Sequence, residues 1–186
     1  MDEKSKKQLL DFLGRYLILI LIALPNLYLF YLIFTPLTLY PVYFILNSFL
    51  DCSLADNVII VSGCFPIEII NACVAGAAYY LLLALNLATP KIKLRKRINL
   101  IIFSFTSFLV LNIIRILLLS LLFVSESLWF DFLHKSLWYL LSILFVAGIW
   151  FAGVKIFKIK EIPFYSDFLS LYKKSHLKKV NNSQSP

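Results

Sequence analysis

From Asn99 to Val124 the chain runs for 26 residues (NLIIFSFTSFLVLNIIRILLLSLLFV) with a single charged side chain, Arg115. About 20 apolar residues are enough to cross the hydrocarbon of a bilayer, so this run reads as a membrane-spanning helix. A guanidinium inside such a span costs about 3 kcal/mol on insertion scales, and residues of this kind usually face a bundle interior and a partner. The simpler alternative is an arginine that snorkels to the nearer headgroup layer. Composition agrees with a membrane protein: 61% of the 186 residues are hydrophobic, 16% are aromatic and only 15% are charged. A soluble domain with a large core does not have that balance.

A net charge of +8 would suit a nucleic-acid binder, but the positions of the charges argue against one. Lys4, Lys6, Lys7 and Arg15 precede or open the first apolar span. Lys91, Lys93, Arg95, Lys96 and Arg97 share one short loop, and seven lysines from Lys155 to Lys179 follow the last span. Sixteen of the 18 basic residues therefore sit beside membrane segments. The positive-inside rule assigns all three clusters to the cytoplasm. They set topology and contact anionic headgroups; nucleic acid is not an expected partner.

The chain is expected to be an all-α integral membrane protein, a single membrane domain over residues 1–186 with about four transmembrane helices. The spans are residues 12–34, with a kink at Pro25, then 72–90, 98–124 and 133–154. No small-residue cleavage site follows the first span, so it is not expected to be a cleaved signal peptide. Residues 1–11, the basic loop 91–97 and the tail 155–186 are assigned to the cytoplasm, and 35–71 and 125–132 to the outer face of the plasma membrane. The segment 35–71 holds no Lys or Arg but does hold Asp51, Asp56 and Glu68. Within it, Leu37–Leu50 is short for a span and reads as an interfacial or re-entrant element, with room for two further short helices. Asn57–Ile70 carries two β-branched runs broken at Ser62-Gly63, which predicts a small hairpin capping the bundle. Tyr79, Tyr80, Trp129, Trp138 and Tyr139 read as bilayer-belt aromatics.

This topology puts three reactive groups at one depth. Cys73 lies 18 residues before Lys91, Arg115 lies 18 after Arg97, and His134 lies 21 before Lys155. At 1.5 Å per helical residue these are heights of about 27, 27 and 31 Å, close to the ~30 Å thickness of the hydrocarbon layer. A thiol, a guanidinium and an imidazole thus reach the same outer boundary from three helices. A cysteine attacks carbonyls as its thiolate, and Cys73 starts its helix, where the dipole favours an anion. His134 can take the thiol proton and return it to a leaving amine. Arg115 can hold the developing oxyanion with several fixed donors. The chemistry these imply is acyl transfer through a thioester, which requires no metal or organic cofactor.

The same residues resemble the exosortase/archaeosortase family of membrane transpeptidases. The resemblance lies in Asn71-Ala72-Cys73-Val74-Ala75-Gly76 at the start of one span, Asn112-Ile113-Ile114-Arg115-Ile116 late in the next, and Phe130-Asp131-Phe132-Leu133-His134 opening the last. It covers residues 57–150 and is strongest to the compact archaeal members. It implies Cys73 as nucleophile, completed by Arg115 and His134. The implied partners are membrane-anchored C-terminal sorting tails of surface proteins, each a short motif, one helix and a basic end. After cleavage the new C-terminus would pass to water or to a lipid amine. Many members follow Ala-Cys with Ser or Thr and then Gly; here Val74 and Ala75 follow, and Gly76 comes one place later.

Supporting candidates are Asn112, one turn before Arg115 on the same face, Glu68, five residues before Cys73, and Asp131, three before His134. Cys52 and Cys64 both fall in the outer segment and could pair as a disulfide. His176 lies in the cytoplasmic tail and is assigned no role. Three cysteines and one outer histidine lack the paired spacing of a zinc site. The competing reading makes Cys73 a packing residue among Ala72, Ala75, Gly76, Ala77 and Ala78. In that case the chain is a non-enzymatic membrane subunit or permease-like protein, with Arg115 binding an anion or a partner helix.

Overall fold

The computed structural model describes residues 13–14, 16–21, 23, 27–89, 92–137 and 142–159. Pro25, Arg15, Lys91, Trp138, Tyr139 and the tail from residue 160, with His176, lie outside the described residues. The described residues before Leu27 are helical. Leu27 then takes a left-handed conformation (φ 60°) and starts α1, Tyr28–Phe49. Phe30, Phe34, Thr38, Val42 and Leu46 recur every fourth residue along α1 and are buried, giving one buried stripe of helical period on a helix apolar all round.

This helix corrects the expected boundary at residue 34. Thr35-Pro36 reads as the end of a span, yet Pro36 and Pro41 both lie inside α1. Each proline removes one backbone N–H, a loss that a membrane helix packed among others tolerates. The expected interfacial element Leu37–Leu50 is therefore the second half of a 22-residue helix.

A three-stranded antiparallel meander follows: β1 Cys52–Ala55, β2 Val58–Val61 and β3 Phe65–Glu68. The expectation of an all-α chain is corrected accordingly. The expected β2–β3 hairpin is present, turning at Ser62 (φ 52°) and Gly63 (φ 70°) with Val61 paired to Phe65. Strand β1 was not expected; it pairs Ala55 with Val58 across the turn at Asp56-Asn57. Ile59 and Val61 face inward, with Val58 and Ile60 less buried, the period of two that a half-buried strand imposes. Cys52 stands opposite Val61, not Cys64, and both cysteines carry free thiols. The disulfide between them is not formed, because the register gives Cys52 a different neighbour. Burial and then the Asp51 carboxylate push the Cys52 thiol up.

The expected span 72–90 is two helices, α2 Asn71–Val74 and α3 Gly76–Ala88, joined by Ala75 in a left-handed conformation (φ 58°, ψ 46°). Helix α4, Leu94–Val124, has 31 residues and at 1.5 Å per residue extends for about 46 Å. It is the central post against which α1, α3 and α6 pack. Helices α5, Phe130–Ser136, and α6, Ser142–Ile156, occupy the expected last span. Three stretches, Tyr28–Phe49, Asn71–Ala88 and Leu94–Val124, are long and apolar enough to cross a membrane, and the described part of α6 is shorter.

An aromatic cluster holds α1, α3 and α4 together. Tyr79 stacks on Phe34 at 3.7 Å and receives the edges of Phe105 and Phe108. It is wholly buried, so the expected belt position is corrected: its ring fills the helix junction. Small and polar residues let the helices approach closely. A Cβ on Gly76 would come within 2.7 Å of the Tyr31 ring, and one on Gly153 within 2.6 Å of Leu100. Asn86 donates to Ser104 at 3.1 Å, and the Arg97 guanidinium donates to the Thr89 carbonyl at 3.0 Å.

Candidate active site

The site begins with the break in the second expected span. Cys73 is the third residue of the one-turn helix α2; its N–H donates to the Ile70 carbonyl at 2.8 Å, and the Ala75 N–H donates to Asn71 at 3.1 Å. In a continuous helix the Cys73 carbonyl would accept from residue 77. With the chain turned at Ala75, that carbonyl instead accepts from Asn112 Nδ2 of α4 at 2.8 Å. Asn112 is 2% exposed. Its other end, Oδ1, accepts from the Arg115 guanidinium at 3.4 Å. One buried amide thus joins the backbone of the candidate nucleophile to the candidate cation.

The two residues so joined border a cavity of about 260 Å³. Cys73, half-buried, and Arg115, buried, line it, together with His134 of α5 and Glu68 at the end of β3. The remaining lining comes from β3 and its exit (Pro66, Ile67, Ile69, Ile70), from α4 (Ile116, Leu119, Ser120, Phe123) and from Phe130 of α5. His134 is exposed and presents its ring edge-to-face to Phe130 at 5.4 Å. Phe130 in turn leans on Phe123 at 5.5 Å, and Phe123 meets Phe65 of the sheet at 6.0 Å.

Cys73, Arg115 and His134 are therefore brought together, with Asn112 and Glu68 beside them. Asp131 is exposed on α5 and is not among the described lining residues. Cys52, on β1, and Cys64, on the β2–β3 turn, also lie off the cavity. Among the described residues no three His, Cys, Asp or Glu side chains cluster as metal ligands would. Ser120, Phe123, Phe130 and the Ala75 break were not anticipated. Ser120 sits four residues after Ile116, on the buried stripe of α4 that also holds Asn112, which is a usable sequence signal. Nothing marks Ala75, since a left-handed position ordinarily takes glycine or asparagine.

No protein-family model matches the chain, and no curated protein or solved structure matches it either.

Proposed function

We propose that this protein is a cysteine-dependent membrane protease or transpeptidase that cleaves C-terminal sorting tails of surface proteins. The observation that carries the reading is the shared cavity: a thiol, a buried guanidinium and an imidazole, from α2, α4 and α5, line one space of about 260 Å³. Proximity of this kind is what acyl transfer needs.

The Cys73 thiol gives its proton to His134 as the sulfur bonds to the scissile carbonyl carbon. The carbonyl oxygen becomes an oxyanion, and the Arg115 guanidinium stabilises it. Collapse breaks the C–N bond; His134 returns the proton to the departing amine, leaving a thioester on Cys73. Water or a lipid amine then attacks the thioester, forms the new acid or amide and releases the thiol. Asn112 keeps the Cys73 backbone and Arg115 in step. In this reading the membrane is the plasma membrane, the three basic clusters lie on the cytoplasmic side and the cavity opens at the outer leaflet.

The test is mass spectrometry of surface-protein C-termini in cells carrying either wild-type protein or Cys73→Ala. Truncated C-termini, free or lipid-linked, are expected with the wild type and absent with the variant, while the variant still inserts and folds. Identical C-termini in both would return Cys73 to a packing role.

A further inference from the structure

We infer that the cavity beside Cys73 receives the side chain of the residue whose carbonyl is attacked, and that this side chain is apolar. The inference rests on the acyl-transfer reading and names the substrate class that the site prefers. Eight of the 13 lining residues are Pro, Ile, Leu or Phe. Three of the other five, Cys73, Arg115 and His134, are already engaged in the chemistry. The space is about 260 Å³, below the ~300–1,000 Å³ of sites that hold a whole small-molecule ligand. That suits one large side chain. Since Cys73 itself lines the cavity, the side chain nearest the attacked carbonyl is the one that reaches it.

The walls divide by depth. Ile69 and Ile116 are 2% and 6% exposed and form the inner wall, whereas Phe123, at 37%, stands at the outer edge beside Phe130. The ring contacts from Phe65 through Phe123 and Phe130 to His134 tie that outer wall to the imidazole. A charged side chain entering here loses its hydration against aliphatic and aromatic surface. A basic one also meets the Arg115 charge, deeper in the cavity than the exposed Glu68 carboxylate. An acidic one would pair with Arg115 and withdraw it from the oxyanion. An apolar side chain gains from burial and leaves Arg115 to the carbonyl.

Peptidyl chloromethyl ketones test this without knowledge of the natural substrate. The Cys73 sulfur bonds to the methylene carbon, the C–Cl bond breaks and chloride departs, with the thiol proton passing to His134 or buffer. Full-length protein in lipid nanodiscs is treated with a series ending in Phe, Leu, Ala, Lys or Asp, and with iodoacetamide as a reagent that carries no side chain. Modification of Cys73 is followed by peptide mass spectrometry, which separates it from Cys52 and Cys64. Each peptide rate is divided by the iodoacetamide rate of the same protein. The Phe and Leu reagents are expected to react at least about tenfold faster than Ala, the range a hydrophobic pocket gives for added methylenes, and faster still than Lys and Asp. Phe123→Ala is expected to shrink the preference for Phe over Ala. Equal rates across the series, or fastest reaction with Asp, would overturn the subsite while leaving a reactive Cys73. Faster reaction with a fatty-acyl chloromethyl ketone than with any peptide would also overturn it, by making the cavity a lipid-chain site. A Cys73 inert to every reagent, iodoacetamide included, would overturn both the subsite and the acyl-transfer reading.

Discussion

At the scale of single residues, Asn112 does the most for its size. A buried primary amide has two donors and an acceptor to satisfy, and here both ends bind groups of the candidate site: the Cys73 carbonyl at 2.8 Å and the Arg115 guanidinium at 3.4 Å. Asn112→Leu leaves that carbonyl and part of the guanidinium without their partner. Leaving a buried polar group unsatisfied costs about 1–3 kcal/mol. If the loss falls on the transition state, the cleavage rate drops by about tenfold to a hundredfold. Asn112→Asp keeps an acceptor for Arg115 but has no donor for Cys73, and is expected to be impaired as well. Comparing tail processing by the two variants at matched membrane levels checks this. Wild-type rates in both would reduce Asn112 to a helix-packing residue. That Cys73, Arg115 and His134 come to one cavity was legible in the sequence because depth can be counted from charged loop edges. Phe123 and Phe130 were not, because an aromatic near a membrane boundary has the same sequence signature whether it lines a cavity or meets headgroups.

At the scale of elements, the break at Ala75 makes the site. An L-residue in the left-handed helical region costs about 1–2 kcal/mol, and glycine takes it freely. Ala75→Gly is therefore expected to stabilise the protein by about 1 kcal/mol, and Ala75→Val to destabilise it, because a β-branched side chain fits that region worst. Thermal unfolding of the two variants in one detergent measures the difference. A Tm lowered by the glycine would mean that the left-handed turn is not maintained there. The sequence hid this break because alanine is the best helix former and Ala77 and Ala78 continue the pattern. It hid α1 for the opposite reason: Pro36 looks like a terminator, but the helix runs through it and through Pro41. Strand β1 has only four residues, of which Ser53 and Ala55 are exposed, too little pattern to declare itself. Helix α4 was the easiest element to read, since an unbroken apolar run of span length has few other folds open to it.

At the scale of the whole molecule, the proposed orientation puts the sheet and the basic loop on opposite sides of the bilayer. Cys64 is exposed on the β2–β3 turn, so a membrane-impermeant maleimide is expected to label it in intact cells. A cysteine placed by Arg95→Cys, in the basic loop, is expected to label only after the membrane is opened. Labelling of both from outside would invalidate the positive-inside assignment. The proposed orientation rests on the basic clusters; the architecture between them was not legible, because burial of one helix against another leaves little trace in a chain apolar on every face.

The strand that forms one wall of the cavity leads, two residues after Glu68, into the turn that seats Cys73. Rim and Cys73 are thus one continuous piece of backbone. Under the proposed chemistry, a chain built this way does not readily acquire a new substrate by exchanging single residues of β3, since any shift in that strand is passed on to the sulfur. The meander enters and leaves the bundle at one end, so the natural unit of divergence is the whole sheet, exchanged like a tool head on an unchanged handle.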